Sequence, residues 1–483
     1  MDIEKTEVIH AETGSEEVLG IVDTAAEKKL VWKCDLHIIP PLFVLYMLAF
    51  LDRVNIGNAR IQGLEKELGM EGNDYNVALL VFFVPYVLFE VPSNLILKNV
   101  APSTWLTSIM ALWGIATIGQ GLVRNYAGLV ACRVLLGLFE AGFFPGCVYL
   151  ISMYYKRYEL QWRLNLFFCS SILAGAFGGL LAFALAHMEG VGGYSGWRWI
   201  FIIEGVLTVV VAIIAWFFVV DWPETSKFLT DADRELLLQR LATDVGVAKM
   251  NRLDKNAGKR ISKDWKIYVG TLMYFGVVNT GYSTSFFLPT ILTELGYTAA
   301  GAQVRSIPIF VAASLLSLIV AIFTDRLHHR YAFCILGLVI ASIGYIMLLA
   351  QGHLAPGVKY FATYLITCGG YITQPVCIAW LNNNTGGHYK RAVSSAVQIG
   401  FGNLGGIVAS NIFLTTEAPR YPTGYGTALG LLGLCAVSCT VMLVGVIIEN
   451  RKRDRGERDY RYQLPPEELS NIGDDHPEVR LST

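Results

Sequence analysis

The amino-acid sequence predicts an all-α polytopic membrane protein, with twelve transmembrane helices arranged as two six-helix bundles. Three observations carry that expectation. Hydrophobic residues make up 54% of the 483 and charged residues only 16%, below the roughly 25% charge of an average soluble chain. Apolar stretches of about 18 or more residues, the length that crosses hydrocarbon, recur along nearly the whole chain. These stretches fall as six, a polar loop, and six more.

Taken in order, residues 1–30 are polar and acidic, with no apolar core behind a basic start. They read as a disordered cytosolic tail rather than a cleaved signal peptide. The N-terminal bundle, 31–220, holds spans near 38–58, 77–97, 104–122, 127–151, 164–187 and 197–220. Residues 221–263 form a linker, in which Thr230-Asp-Ala-Asp233 has the form of a capping box ahead of Leu236, Leu237, Leu238 and Leu241. That pattern predicts a short amphipathic helix on the cytosolic face, tethering the halves. The C-terminal bundle, 264–450, holds spans near 265–292, 303–324, 331–350, 358–381, 392–413 and 424–448, and a charged tail, 451–483, follows.

Basic residues cluster in alternate loops, among them Lys156, Arg157, Arg163, Arg326, Arg330, Lys390, Arg391 and the run from Arg451 to Arg455. Positive-inside bias then places both termini and the linker in the cytosol. A net charge of −1 gives no reason to expect nucleic acid as a partner. The nine cysteines include no Cys-x-x-Cys and mostly lie in apolar runs, so they read as small buried thiols, with no metal, disulfide framework or cofactor.

The halves echo one another. An offset of 227 residues carries Gly175–Gly179 in span five onto Gly402–Gly406 in span eleven, Lys98 onto Asp325, and Arg163 onto Lys390. A constant offset over three features points to two parallel six-helix repeats. The Gly-x-x-x-Gly pairs, with Gly142–Gly146, are read as sites of close helix approach.

Charges inside the spans are the candidate functional residues. Each costs ~2.5–3.5 kcal/mol at the centre of a bilayer. Arg133, Gly137 and Glu140 are spaced i, i+4, i+7 and share one helix face. Arg53 lies ~20 Å along span one, past the midplane, and its neighbour Asp52 points about 100° away, so the two need different partners. A guanidinium keeps its charge and suits bidentate grip on a carboxylate, whereas a buried carboxyl can take up a proton. Arg53 is therefore a candidate anion clamp, and Glu140 or Asp52 the candidate proton site. The structural alternative pairs Asp52 with Arg133 and Arg53 with Glu140.

In span two, Tyr86, Glu90 and Asn94 share a face, and Pro85 and Pro92 are expected to disrupt the backbone. Glu90 is either a second proton site or a bundle partner for an arginine. Asn279, Tyr282 and Phe286 in span seven, Tyr371 and Gln374 in span ten, and Gln398, Asn403 and Asn411 in span eleven offer groups for a polar substrate or for bonds across helices. Asp325, Arg326 and Arg330, at the cytosolic end of span eight, read as a conformational latch.

Several segments together resemble the major facilitator superfamily, and within it the fungal anion:cation symporter group of allantoate, nicotinate, pantothenate and biotin permeases. They are LDRVNIGNA (51–59), EVPSNLILK (90–98), RVLLGLFEAGFFPG (133–146), GWRWIFIIEG (196–205) and DWPET (221–225). The resemblance covers about Val31–Lys452 and looks most like a nicotinate permease. Through the more distant vesicular glutamate and sialic-acid transporters, it implies that Arg53 and Arg133 hold the substrate anion. It also implies that Glu140 is the proton-linked carboxylate, and that Tyr282 matches an aromatic facing the substrate. The superfamily signature Gly-(x)3-Asp-Arg-x-Gly-Arg-Arg after span two is absent; only Lys98 marks that loop, while Asp325-Arg326 keeps part of the signature in the second half.

The expected function is proton-coupled uptake of a small organic carboxylate by alternating access, with export of an anionic secondary metabolite as the alternative. An enzyme is not expected, since Gly-x-Ser-x-Gly, His-Glu-x-x-His and Walker A motifs are all missing. The plasma membrane is the default location, and one monomer suffices for transport.

Overall fold

Six spans build each half of the protein. The computed structural model describes residues 24–97, 99–243, 255–327, 329–386, 388–469 and 471–483. In the first half, α1 runs Thr24–Val54 and continues as Ile56–Ile61, α2 covers Asp74–Leu97 and α3 Pro102–Leu122. Then come α4, Tyr126–Glu140 continued by Phe143–Ser152, α5, Arg157–Ala186, and α6, Gly196–Ala215. The second half holds α7 (Trp265–Glu294), α8 (Ala299–Leu327), α9 (Arg330–Leu349) and α10 (Pro356–Asn383). It ends with α11, His388–Gly402 continued by Leu404–Asn411, and α12, Pro422–Asp454. Eight of the described helices are long and apolar enough to cross a membrane by length and composition. With α2, α7, α10 and α11 the count of spans is twelve.

Local chemistry sets the starts of these helices. Pro102, Pro356 and Pro422 each open a helix, where the missing N–H has no partner to lose. Asn125 caps α4 by accepting from the Gly128 N–H at 2.9 Å, and Asp264 caps α7 by accepting from the Lys266 N–H at 3.0 Å. In the linker, Thr230 and Asp233 exchange reciprocal bonds of 3.2 and 3.4 Å at the head of the helix Asp231–Thr243. Pro85 and Pro92 do not break α2, which stays continuous. A membrane helix tolerates proline where neighbours cover the freed backbone, and the Pro85 ring packs beside Gly137 of α4.

Glycines decide which helices touch. A Cβ on Gly137 would collide with the Phe82 carbonyl of α2, and one on Gly142 with Ser93. Three of the four repeated glycines lie at the seam between the halves, while Gly402 packs on Tyr274 of its own half. Gly175 and Gly179 on α5 face Phe310, Ser306 and Gln303 of α8, and Gly406 on α11 faces the Phe83 ring of α2. Small residues let backbones approach where no hydrophobic force draws helices together.

One face carries both described chain ends and the linker; we call it the terminal face. On the opposite face the halves are joined. Thr415 donates to the Gly72 carbonyl at 2.6 Å, Asn76 to the Ser410 and Phe413 carbonyls at 2.6 and 3.2 Å, and Gln62 to Gln303 at 3.2 Å. Towards the terminal face they diverge around a cleft of about 660 Å³, counting its mouth, walled by Val148, Leu160 and Leu164 on one side and Ile378, Asn382 and Ser395 on the other.

Two ion-pair layers close the terminal face of each half separately. In the first, Lys33 meets Asp233 at 2.7 Å, Arg163 meets Asp35 at 2.5 Å, and Glu27 holds both Lys156 and Arg240 at 2.5 Å. In the second, Lys390 contacts Asp264 at 2.6 Å and Asp474 at 2.8 Å, while Lys266 also reaches Asp474.

Two boundaries differ from the sequence expectation. Helix α1 begins at Thr24, inside the segment read as a tail to residue 30, because Glu27 is tied to Lys156 and Arg240; residues 1–23 lie outside the described residues. The charged C-terminal segment folds back onto its half, with Asp474 buried between two lysines and Ser482 bonded to Asn384 at 2.8 Å. Burial alone would raise the Asp474 carboxyl, but Lys266 and Lys390 hold it well below the usual carboxylate range. A depressed carboxyl stabilises the fold at every pH above its unfolded value of about 3.9, and that stability is lost only as pH falls through the lower folded value. Asp474→Asn, which leaves two buried ammonium groups to share the single carboxylate of Asp264 and so removes one partner of a buried ion-pair cluster at a cost of up to ~3–5 kcal/mol, is therefore expected to lower the melting temperature of the purified protein by several degrees. The loss should be the same at about pH 5.5 and about pH 8; a drop confined to one of them would contradict this role.

Candidate functional site

At mid-depth, α1, α2, α4, α5, α7, α10 and α11 enclose a cavity of about 410 Å³, counting its mouth. Tyr46, Phe50, Tyr86 and Tyr274 form much of the wall, and Arg53, Tyr282, Gln374, Tyr371 and Asn403 supply polar groups. It shares Phe144, Phe168 and Ile399 with the cleft on the terminal face. Access therefore runs from that face to the centre.

Arg53 is the centre of the site. Its Nε donates to Glu140 Oε1 at 3.0 Å, its Nη2 reaches the same oxygen, and its Nη1 donates to the Tyr282 hydroxyl at 2.6 Å. Tyr282 in turn donates to Asn403 Oδ1 at 3.2 Å. Arg53 and Glu140 are only 3% and 2% exposed, so removing either partner would leave a buried charge uncompensated, at a cost of ~3–5 kcal/mol. The guanidinium carbon lies 5.0 Å from the Tyr86 ring centre and 5.1 Å from that of Phe82, a π-rich pocket suited to a desolvated cation. Among the described residues, the other carboxylate oxygen, Glu140 Oε2, has no hydrogen-bond partner, and neither has Gln374 Nε2.

Both charged partners sit beside helix breaks. The α1 helix is interrupted at Asn55, two residues after Arg53, and α4 at Ala141–Gly142, directly after Glu140. The bond from Arg53 to Tyr282 crosses from one half to the other. A change in the charge or partner of Arg53 is thus felt at the seam.

Other predicted residues are placed differently. Arg133 does not line the cavity. It is fully buried behind Arg53, donating to the Ala78 carbonyl at 3.3 Å and the Arg53 carbonyl at 3.4 Å, with Nη2 unpartnered. It braces the backbone at Arg53. Asp52 meets neither arginine; it accepts from Trp113 Nε1 at 3.1 Å and from Thr208 at 2.8 Å inside the first bundle. Of the two structural pairings open to the sequence, only Arg53–Glu140 is made. Glu90 is buried with both oxygens unpartnered, beside Gly400 of α11 on the other half.

Asn279 and Gln398 bond to backbone carbonyls, Gly405 at 3.4 Å and Gly270 at 3.0 Å, and Asn411 is exposed. Of the expected latch, the Asp325 side chain lies outside the described residues and Arg326 is exposed. Arg330 is buried, and its N–H donates to the Thr483 carbonyl at 2.8 Å, which ties α9 to the end of the chain. Lys98, the remnant of the first-half signature, also lies outside the described residues.

One acidic residue escaped the sequence reading. Glu204 on α6 is buried, with neither oxygen hydrogen-bonded among the described residues, within range of the Asp52 charge. The same rule that singled out Glu140, a carboxylate inside an apolar span, applies to it.

Among the cysteines, Cys334 and Cys377 approach to 3.8 Å and Cys435 and Cys439 to 4.0 Å, converging from α9, α10 and α12.

The Tyr282 hydroxyl joins Arg53 to Asn403, so Tyr282→Phe leaves a buried donor and a buried acceptor without it. A loss of about 1–3 kcal/mol in stability is expected, read as a lower melting temperature of the solubilised protein. An unchanged melting temperature would show that the bond is not part of the fold.

Residues 42–410 match the family model described as Major Facilitator Superfamily. The chain is 36% identical over 426 residues to Uncharacterized transporter C1002.16c of Schizosaccharomyces pombe, covering 88% of this chain and 85% of that one. It is 36% identical over 447 residues to MFS transporter prlL of Fungal sp. (strain NRRL 50135), covering 90% and 89%. A solved D-xylose-proton symporter shares the fold at a TM-score of 0.65 and 13% identity, over 86% of this chain and 97% of that one. The protein is thus an integral multi-pass membrane transporter, and it belongs to the major facilitator superfamily.

Proposed function

We propose that the protein is a proton-coupled importer of a small organic carboxylate, nicotinate-like in size and charge, within the anion:cation symporter group. The observation that carries this reading is the buried Arg53, held by Glu140 on its own half and by Tyr282 on the other, in the wall of the central cavity. A permanent cation whose counter-ion is a titratable carboxyl is suited to exchange. When Glu140 takes a proton, it releases Arg53 to a substrate carboxylate, and total charge in the site is preserved.

Tyr282, Gln374 and Asn403 can then bond the rest of the substrate, and Tyr46, Phe50 and Tyr86 offer faces for a planar ring. Arg133 keeps the α1 backbone in place behind Arg53, and its own charge adds to the attraction for the anion. Glu90 and Asp52 remain further candidate proton sites, Glu90 because it faces the other half and Asp52 because it lies behind Arg53. We place both termini in the cytosol of the plasma membrane, by the basic loops of the terminal face, so the cavity as described is open to the cell interior. Alternating access then closes the cleft on the terminal face and parts the contacts of Gly72, Asn76 and Gln62 on the other.

Uptake of a labelled carboxylate panel led by nicotinate, in cells expressing the chain at about pH 5 and about pH 7.5, tests this reading. Faster uptake at the lower pH is expected. Arg53→Ala should abolish it, and Glu140→Gln should remove its dependence on pH while leaving substrate exchange. Uptake by Glu140→Gln that still follows pH would reassign the proton. Loss of label from loaded cells, with no uptake by a chain shown to be at the cell surface, would instead establish export.

A further inference from the structure

A second cavity, of about 1050 Å³ counting its wide mouth, lies on the terminal face of the C-terminal half. It is enclosed by the linker helix Lys255–Lys263, the start of α7, the end of α12 and the returning tail. Seven basic side chains line it against four carboxylates. The carboxylates are already engaged: Glu449 with Arg458 at 2.6 Å, Asp264 with Lys390 at 2.6 Å, Asp475 with Arg461 at 3.5 Å, and Glu468 with Arg260. Lys259 and Lys263 are exposed and have no carboxylate partner among the described residues. The cavity therefore presents uncompensated positive charge.

Its position relative to the bilayer follows from Trp265, which lines the same cavity and packs against Gly445 of α12. Tryptophan marks the level of the headgroups. Directly on the membrane side, α7 exposes Tyr268 and Leu272, and the adjoining α12 exposes Val441, Val444 and Ile448. A basic cavity thus opens at headgroup height above an apolar strip.

We propose that this cavity binds the phosphorylated headgroup of an anionic phospholipid from the leaflet at the terminal face, with the acyl chains along the strip between α7 and α12. Basic pockets at the ends of transmembrane helices recognise such headgroups through charge, at ~1 kcal/mol per lysine or arginine. A multiply phosphorylated headgroup matches the charge surplus and fits within the volume. The proposal does not depend on which substrate is carried or in which direction.

Native mass spectrometry of the full-length protein, titrated with phosphatidylinositol 4,5-bisphosphate, phosphatidylcholine or water-soluble inositol 1,4,5-trisphosphate, tests it. The bisphosphate lipid should bind at least about tenfold more tightly than phosphatidylcholine. Lys259→Ala with Lys263→Ala should weaken it roughly fivefold per lysine, without changing the lipid-free melting temperature. Lys66→Ala with Lys359→Ala, on the opposite face, should leave binding unchanged. Equal binding of the two lipids, or binding by the Lys259/Lys263 variant equal to that of the unmodified chain, would overturn the site. Trisphosphate binding as tightly as the lipid would overturn the lipid assignment in favour of a soluble polyanion.

Discussion

A guanidinium cannot shed its charge inside a membrane, and the centre of this protein is arranged around that constraint. Arg53 is almost wholly buried, so it needs an anion, hydrogen-bond acceptors and polarisable faces at once. Glu140 provides the anion, Tyr282 an oxygen from the other half, and Phe82 and Tyr86 the faces. Each of these groups demands a neighbour of its own. Gly137 is needed so that α4 can lie close enough to α2 to bring Glu140 within reach, and Arg133 is needed to hold the carbonyl that precedes the break in α1.

The seam between the halves follows from the same economy of contact. Lipid tails give helices no hydrophobic reason to associate, so the halves meet through glycine-lined crossings and a few hydrogen bonds on the opposite face. Such contacts are individually modest and can be exchanged for equivalent ones. The strong interactions at the terminal face are kept within each half, where the Glu27 and Asp474 ion-pair layers make each six-helix bundle rigid. A carrier built of two stiff bodies with a weak seam and one charged bond across it is suited to rocking about that bond.

The terminal face does more than close the bundles. The linker helix Asp231–Thr243 is fastened to the first half by Lys33 and Glu27, and the tail to the second by Lys266, Lys390 and Asn384. Neither is a loose tether. Between the second linker helix, α7 and α12, the tail leaves a hollow lined mainly by basic side chains.

By itself the sequence determined the class of protein and the number and order of spans, and it singled out Arg53 and Glu140 as charges placed inside apolar spans. All of these follow from local rules: apolar length and the cost of a charge in hydrocarbon. Only the tertiary structure decided who meets whom. Arg53 and Arg133 look alike as charges in a span, yet one lines the cavity and the other faces backbone carbonyls, because α2 and its Phe82 stand between them. Asp52, one residue from Arg53, turns into the first bundle toward Trp113 and Thr208, and Glu204 joins it there from a distant span. The folded tail was hidden for a related reason. Its anchor, Asp474, is one acidic residue among several in a polar segment, and nothing near it in the chain reveals the two lysines, about 84 and 208 residues away, that bury it.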